Sequence, residues 1–202
     1  MTTQPSPAGG VKLWAGALLV LGAMLPGTIV IPVVRSFITA SWPGSEWLMH
    51  AFIAVNLLGA VVGGPVLAVR AERLGKRRLV ASVSAALDGG FLLAATLGPP
   101  AWLLLGLRFF QGAVYIAAVS IFMGTIRRQA RGASSMGVVG GAVVFSILLG
   151  IPLGAVLSKV SPSLPLIVGG VVGVVTGLLA PLVLPATTDA EQSRVTFREL
   201  LF

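Results

Sequence analysis

Six apolar runs divide the chain, and each is closed by charge, by proline or by a polar cluster. They cover about Trp14 to Ile38, Trp47 to Val69, Leu79 to Leu97, Trp102 to Ile126, Met136 to Ser158 and Leu164 to Leu184. Each is near or above the ~20 residues with which an α-helix crosses a ~30 Å hydrocarbon core. The first is too long for a signal-peptide core. A backbone N–H or C=O in lipid must be bonded within its own segment, so runs of this length predict helices and not buried strands. The predicted fold is all-α: a polytopic membrane bundle of six transmembrane helices over residues 13–185. Residues 1–12 include the polar, Pro- and Gly-rich MTTQPSPAGG and read as a disordered tail, and 186–202 as the start of a loop or a C-terminal tail.

Composition agrees with lipid as the solvent. Hydrophobic residues make up 56% of the chain and charged residues 10%, where a soluble domain carries roughly a quarter charged. Cysteine is absent and His50 is the single histidine, so neither a disulfide framework nor a zinc cluster is expected, and no cofactor. A net charge of +8 would suit nucleic acid only if the basic residues followed a solvated face, and here they sit between apolar runs. No serine, histidine and acid set converges in a dry site, so an enzyme is not expected.

The basic residues also give an orientation, because lysine and arginine are retained on the cytoplasmic side near span ends. With the N-terminus inside, eleven fall on that side: Lys12, Arg70, Arg73, Lys76, Arg77, Arg78, Arg127, Arg128, Arg131, Arg194 and Arg198. Arg35 and Lys159 fall on the other, and Arg108 lies within a span. Both termini are therefore expected in the cytoplasm, with the chain integral to a bacterial inner (plasma) membrane. Trp42, Trp47 and Trp102 lie near the outer ends, where indoles favour the interface.

Five of these basic residues crowd into RAERLGKRRL, 70–79, the short connection between the second and third spans. The plain reading is a topological anchor. The order within it is more specific: Glu72, Arg73, Gly75, Lys76 and Arg77 follow Gly63, Gly64 and Pro65 at the end of the second span. Gly75 suits a sharp turn with positive φ, and Glu72 suits an acceptor for basic neighbours or a helix N-terminus. In the fourth span, RFFQG places Arg108, Gln111 and Tyr115 on one face at i, i+3 and i+7. The fifth span carries GIPLG, where Gly150 and Gly154 extend a small-residue stripe from Ser146 to Ser158 and Pro152 offers a bend point. Gly169, Gly173 and Gly177 form a similar stripe in the sixth, read as packing alone.

The order in 70–79 resembles the loop signature of the major facilitator superfamily, with Ala68, Ala71, Glu72, Arg73, Gly75, Lys76 and Arg77 in its places. Three departures stand out: Ala68 for the leading glycine, Arg70 for an apolar residue and Glu72 for aspartate. RFFQG and GIPLG are similar to further motifs of that superfamily, the latter to its drug and sugar exporters (antiporters). The resemblance implies one half of a major facilitator fold, built from two three-helix repeats, in a secondary active transporter that exports drugs or metabolites by alternating access. It also implies that the loop latches two halves together. No Asn-Pro-Ala pair of a water channel and no Walker-type nucleotide loop is present.

Candidate pathway residues follow from polarity inside the spans. Asp88 is the acid in a span interior, and by depth it lies within ~4 Å of Arg108 at 1.5 Å per residue, so the two are expected to pair. Pro26 and Pro32 flank Thr28 and are expected to unwind the first helix and open carbonyls to a central cavity. Asn56 reads as a cavity residue or as interhelical glue. The first span carries no acid, which leaves proton coupling open. The expected partners are the lipid bilayer, a small-molecule substrate, protons where coupling applies, and a second six-helix half, whether C-terminal, on a separate chain or a second copy. TFRELLF at the end resembles the start of the loop that joins two halves, so the chain is expected to be a truncated or split transporter. The alternative reading is a non-transporting membrane scaffold or relic.

Overall fold

A computed structural model of the chain describes residues 13–129 and 133–184. The expected tail over 1–12 and the stretch 186–202, with Lys12, Arg131, Arg194 and Arg198, lie outside them. Among the described residues the structure is all helical: α1 (Leu13–Val30), a 3-10 turn (Ile31–Val33), α2 (Val34–Ser41), α3 (Trp47–Arg73), α4 (Arg77–Ala95), α5 (Ala101–Gln129), α6 (Ala133–Ser158) and α7 (Leu164–Val183). Six spans are long and apolar enough to cross a membrane, the first being α1 and α2 joined through the turn.

Two boundaries differ from the sequence reading. The second span remains helical to Arg73 and the third begins at Arg77, which leaves three residues between them. Charged side chains continue a helix past the hydrocarbon because their stems cover apolar surface while their heads reach water. The turn itself is a Schellman cap. Gly75 has φ 62°, its N–H donates to Glu72 O (3.1 Å), and the Lys76 N–H donates to Ala71 O (3.2 Å).

The first span also departs from expectation, because the prolines do not unwind it. α1 stays α-helical through Pro26 to Val30, and the chain then tightens into one 3-10 turn that contains Pro32. A proline removes a single N–H, and a short i→i+3 turn absorbs the second ring without freeing a run of carbonyls.

Helix pairing has an internal symmetry. The most extensive contacts join α3 to α5, α4 to α7 and α1 to α6, followed by α4 with α5 and α1 with α7. Exchanging the first three spans for the last three maps this set onto itself: second–fourth becomes fifth–first, third–fourth becomes sixth–first, and third–sixth is unchanged. The two three-helix units thus pack as repeats, and because an odd number of crossings separates them they run oppositely through the bundle.

Small residues set these crossings. In lipid no hydrophobic force draws apolar helices together, so close packing must. Gly59 and Gly63 of α3 lie against Phe109 and Ala113 of α5, and Gly150 and Gly154 of α6 lie against Thr28 and Ile29 of α1 and Pro32 of the 3-10 turn, each pair four residues apart. The sixth-span stripe divides its work: Gly173 and Gly177 meet α4 at Gly89 and Ala86, whereas Gly169 meets Pro26 and Ile29 of α1. Arg78 Nη2 donates to Pro181 O and ties the start of α4 to the end of α7.

Gly89 and Gly90 make this packing testable. A β-carbon on Gly89 would lie 2.5 Å from Val174 N and 3.0 Å from the Gly173 carbonyl carbon, whereas one on Gly90 meets nothing within 4 Å. Gly89→Ala should lower stability by about 1–3 kcal/mol through overpacking, and Gly90→Ala should raise it by about 0.5–1 kcal/mol through helix propensity. Thermal unfolding in detergent checks the pair, and equal effects would contradict the crossing. Gly75→Ala should cost about 1 kcal/mol in the same assay, since alanine is strained at that φ.

Candidate functional site

Two charged side chains are buried among the described residues, Asp88 at 2% exposure and Arg108 at 8%. Asp88 projects from α4 and Arg108 from α5. They do not touch. Gln111, one turn beyond Arg108, stands between them: its Oε1 accepts from Arg108 Nη1, and its Nε2 donates to Asp88 Oδ1 at 2.9 Å. The expected direct pair is therefore a relay through an amide. The depths agree with the sequence reading, but the facing of α4 and α5 puts the intervening Gln111 in the gap. An amide satisfies both ends because it offers an acceptor and donors on one planar group.

The Arg108 guanidinium is held from a second side. Its Cζ lies 4.0 Å from the ring centroid of Phe52, and its Nε donates to Phe52 O at 3.4 Å. One turn along the same face of α3, Asn56 Nδ2 donates to Arg108 O at 3.1 Å. Sequence reasoning named Asn56 and missed Phe52. One phenylalanine in a largely apolar span carries no separate signal except its i, i+4 spacing to Asn56.

Thr28 of α1 is fixed by its hydroxyl, which lies 3.1 Å from Leu25 O and 3.0 Å from Ser146 O on α6. The GIPLG glycines bring α6 against this point. Pro152 is exposed, and α6 stays helical through it.

A cavity of about 500 Å³ lies where α1, α3, α5 and α6 meet. Thr28, Asn56, Arg108, Gln111 and Tyr115 all line it, among apolar neighbours such as Met24, Ile31, Ile53 and Leu57. Every polar residue expected in a pathway is brought to this one wall except Asp88, which sits behind Gln111. The signature loop forms a separate place. Arg77 pairs with Glu72 at 3.1 Å, and both line a small hollow against Ser120, Ile121, Gly124 and Thr125 of α5. Glu72 and Arg77 meet one another and α5 of the same bundle, whereas Arg73, Gly75 and Lys76 are exposed.

Among the described residues no group of His, Asp and Glu is arranged to hold a metal ion. No curated protein and no solved structure matches the chain significantly. The family model of the Major Facilitator Superfamily matches residues 16–200, which takes in all six spans. With an all-helical bundle of six membrane-length helices beneath that match, the chain belongs to the major facilitator superfamily of membrane transporters.

Proposed function

We propose that this chain is one six-helix half of an alternating-access secondary transporter that exports small molecules, drugs or metabolites. It sits in a bacterial inner membrane with both termini in the cytoplasm, and a second six-helix half completes it. The observation that carries this reading is the cavity, a concave and mainly apolar space with polar groups from three helices converging on it. α3 and α6 flank it and leave most of their length uncovered, whereas the first and fourth spans are the most enclosed. In this reading the second half packs against α3 and α6.

In this reading Arg108, Gln111 and Asp88 form the switch. With the relay closed the two charges offset each other inside the bundle. A proton on Asp88 or a substrate at Arg108 removes one side of that balance and biases the helices toward a second arrangement. Asn56, Thr28 and Tyr115 shape the cavity wall. Gly150, Pro152 and Gly154 let α6 rock on α1, and Glu72, Arg73, Gly75, Lys76 and Arg77 latch the basic end against the other half.

Flux into liposomes tests this, with the chain alone and together with a six-helix partner, using anionic, neutral and cationic amphiphilic dyes. The wild-type chain should give saturable flux in at least one arrangement. Arg108→Gln and Asp88→Asn should each lower it about tenfold or more, and the double variant should exceed the worse single one, since removing both charges leaves neither unpaired. No flux in any arrangement would favour the scaffold reading, and a double variant no better than the worse single one would remove the switch.

A further inference from the structure

We infer that the cavity selects small organic anions with an apolar body, held by Arg108; this rests on reading the cavity as the transport site. Arg108 is the charged side chain in the lining, because Asp88 is shut behind Gln111 and absent from the wall. The cavity therefore meets a guanidinium directly and a carboxylate only through an amide.

The donor inventory sharpens this. Of the guanidinium nitrogens, Nε is spent on Phe52 O and Nη1 on Gln111 Oε1. Nη2 has no acceptor among the described residues. Nor is it sealed in: among the described residues no side-chain nitrogen or oxygen cut off from solvent lacks a partner, so an unpartnered Nη2 must open onto free space. The residue as a whole is more than nine-tenths buried, and it lines this cavity. The Tyr115 hydroxyl, two turns along α5, likewise makes no hydrogen bond to the described residues, and Tyr115 lines the same space.

A ligand entering here meets a fixed positive charge on one polar wall and apolar surface elsewhere. A carboxylate satisfies the free N–H groups with charge-assisted bonds, strengthened by the low polarity around them. A neutral ligand gives up the charge assistance. An organic cation faces Arg108 with no acid in the wall to offset it. The remaining lining, Met24, Ile31, Ile53, Leu57 and Ile147 among it, suits an aromatic or aliphatic body, and the volume falls in the ~300–1,000 Å³ range of small-molecule sites.

The test is calorimetric titration of the purified full-length chain in detergent at low ionic strength with three probes of one shape: 1-naphthoate, 1-naphthamide and 1-naphthylmethylammonium. Naphthoate should bind about tenfold or more tighter than the amide, and the ammonium compound should bind least. Arg108→Gln should abolish the preference. Asp88→Asn should tighten naphthoate severalfold, because asparagine still accepts from Gln111 while the competing negative charge is gone. A merely structural role for Asp88 predicts no such gain, so this variant decides the matter even if Arg108→Gln does not fold. Absence of naphthoate binding, equal or better binding of the cation, or weaker anion binding by Asp88→Asn would overturn the inference. Naphthoate binding without flux would remove the transport reading and leave this one. Flux confined to cationic dyes would do the reverse.

Discussion

Asp88 and Arg108 must both lie inside a bundle whose spans are otherwise almost wholly apolar, and the amide of Gln111 is what lets them. A charge left unpaired at such depth costs several kcal/mol, and one partner removed from a buried pair costs about 3–5 kcal/mol. Gln111 answers both requirements with a single group, its oxygen toward the guanidinium and its nitrogen toward the carboxylate. The same contact fixes α4 against α5. Phe52 and Asn56 then fix α3 against the other side of Arg108, so three helices are registered around one side chain.

The glycine crossings determine where that register falls. Close approach of α3 to α5 at Gly59 and of α6 to α1 at Gly150 places the two pairs as images of each other across the bundle. The chemistry at the two crossings differs. One carries the Arg108 network, and its image carries, among the described residues, the Thr28 hydroxyl on Ser146 O. A symmetric frame thus presents an asymmetric wall to the cavity, polar chiefly on the α5 side.

Much of the fold is legible in the sequence because its determinants are one-dimensional. Run length and closing charges give the six spans, and small residues at four-residue spacing mark the faces that meet. Gly75 is legible for the same reason, since its place after Arg73 and before a basic cluster calls for a cap with positive φ. What escapes depends on rotation about a helix axis. Depth along α4 and α5 brings Asp88 and Arg108 level, but only their facing decides whether they touch or admit Gln111. Phe52 escapes because its role depends on which side of α3 meets the guanidinium. The prolines mislead at Thr28, because a missing N–H is absorbed locally by a 3-10 turn.

The central claim is that Gln111 carries the coupling between two charges that do not touch. Its most direct test is the coupling energy between Asp88→Asn and Arg108→Gln, from thermal unfolding in detergent, measured once with Gln111 present and once with Gln111→Leu. With Gln111 in place the coupling should exceed about 1 kcal/mol, and with leucine there it should fall clearly, leaving only the part that the two charges exert on each other through space. A coupling that is the same in both backgrounds would show that the amide adds nothing to it and would contradict the account.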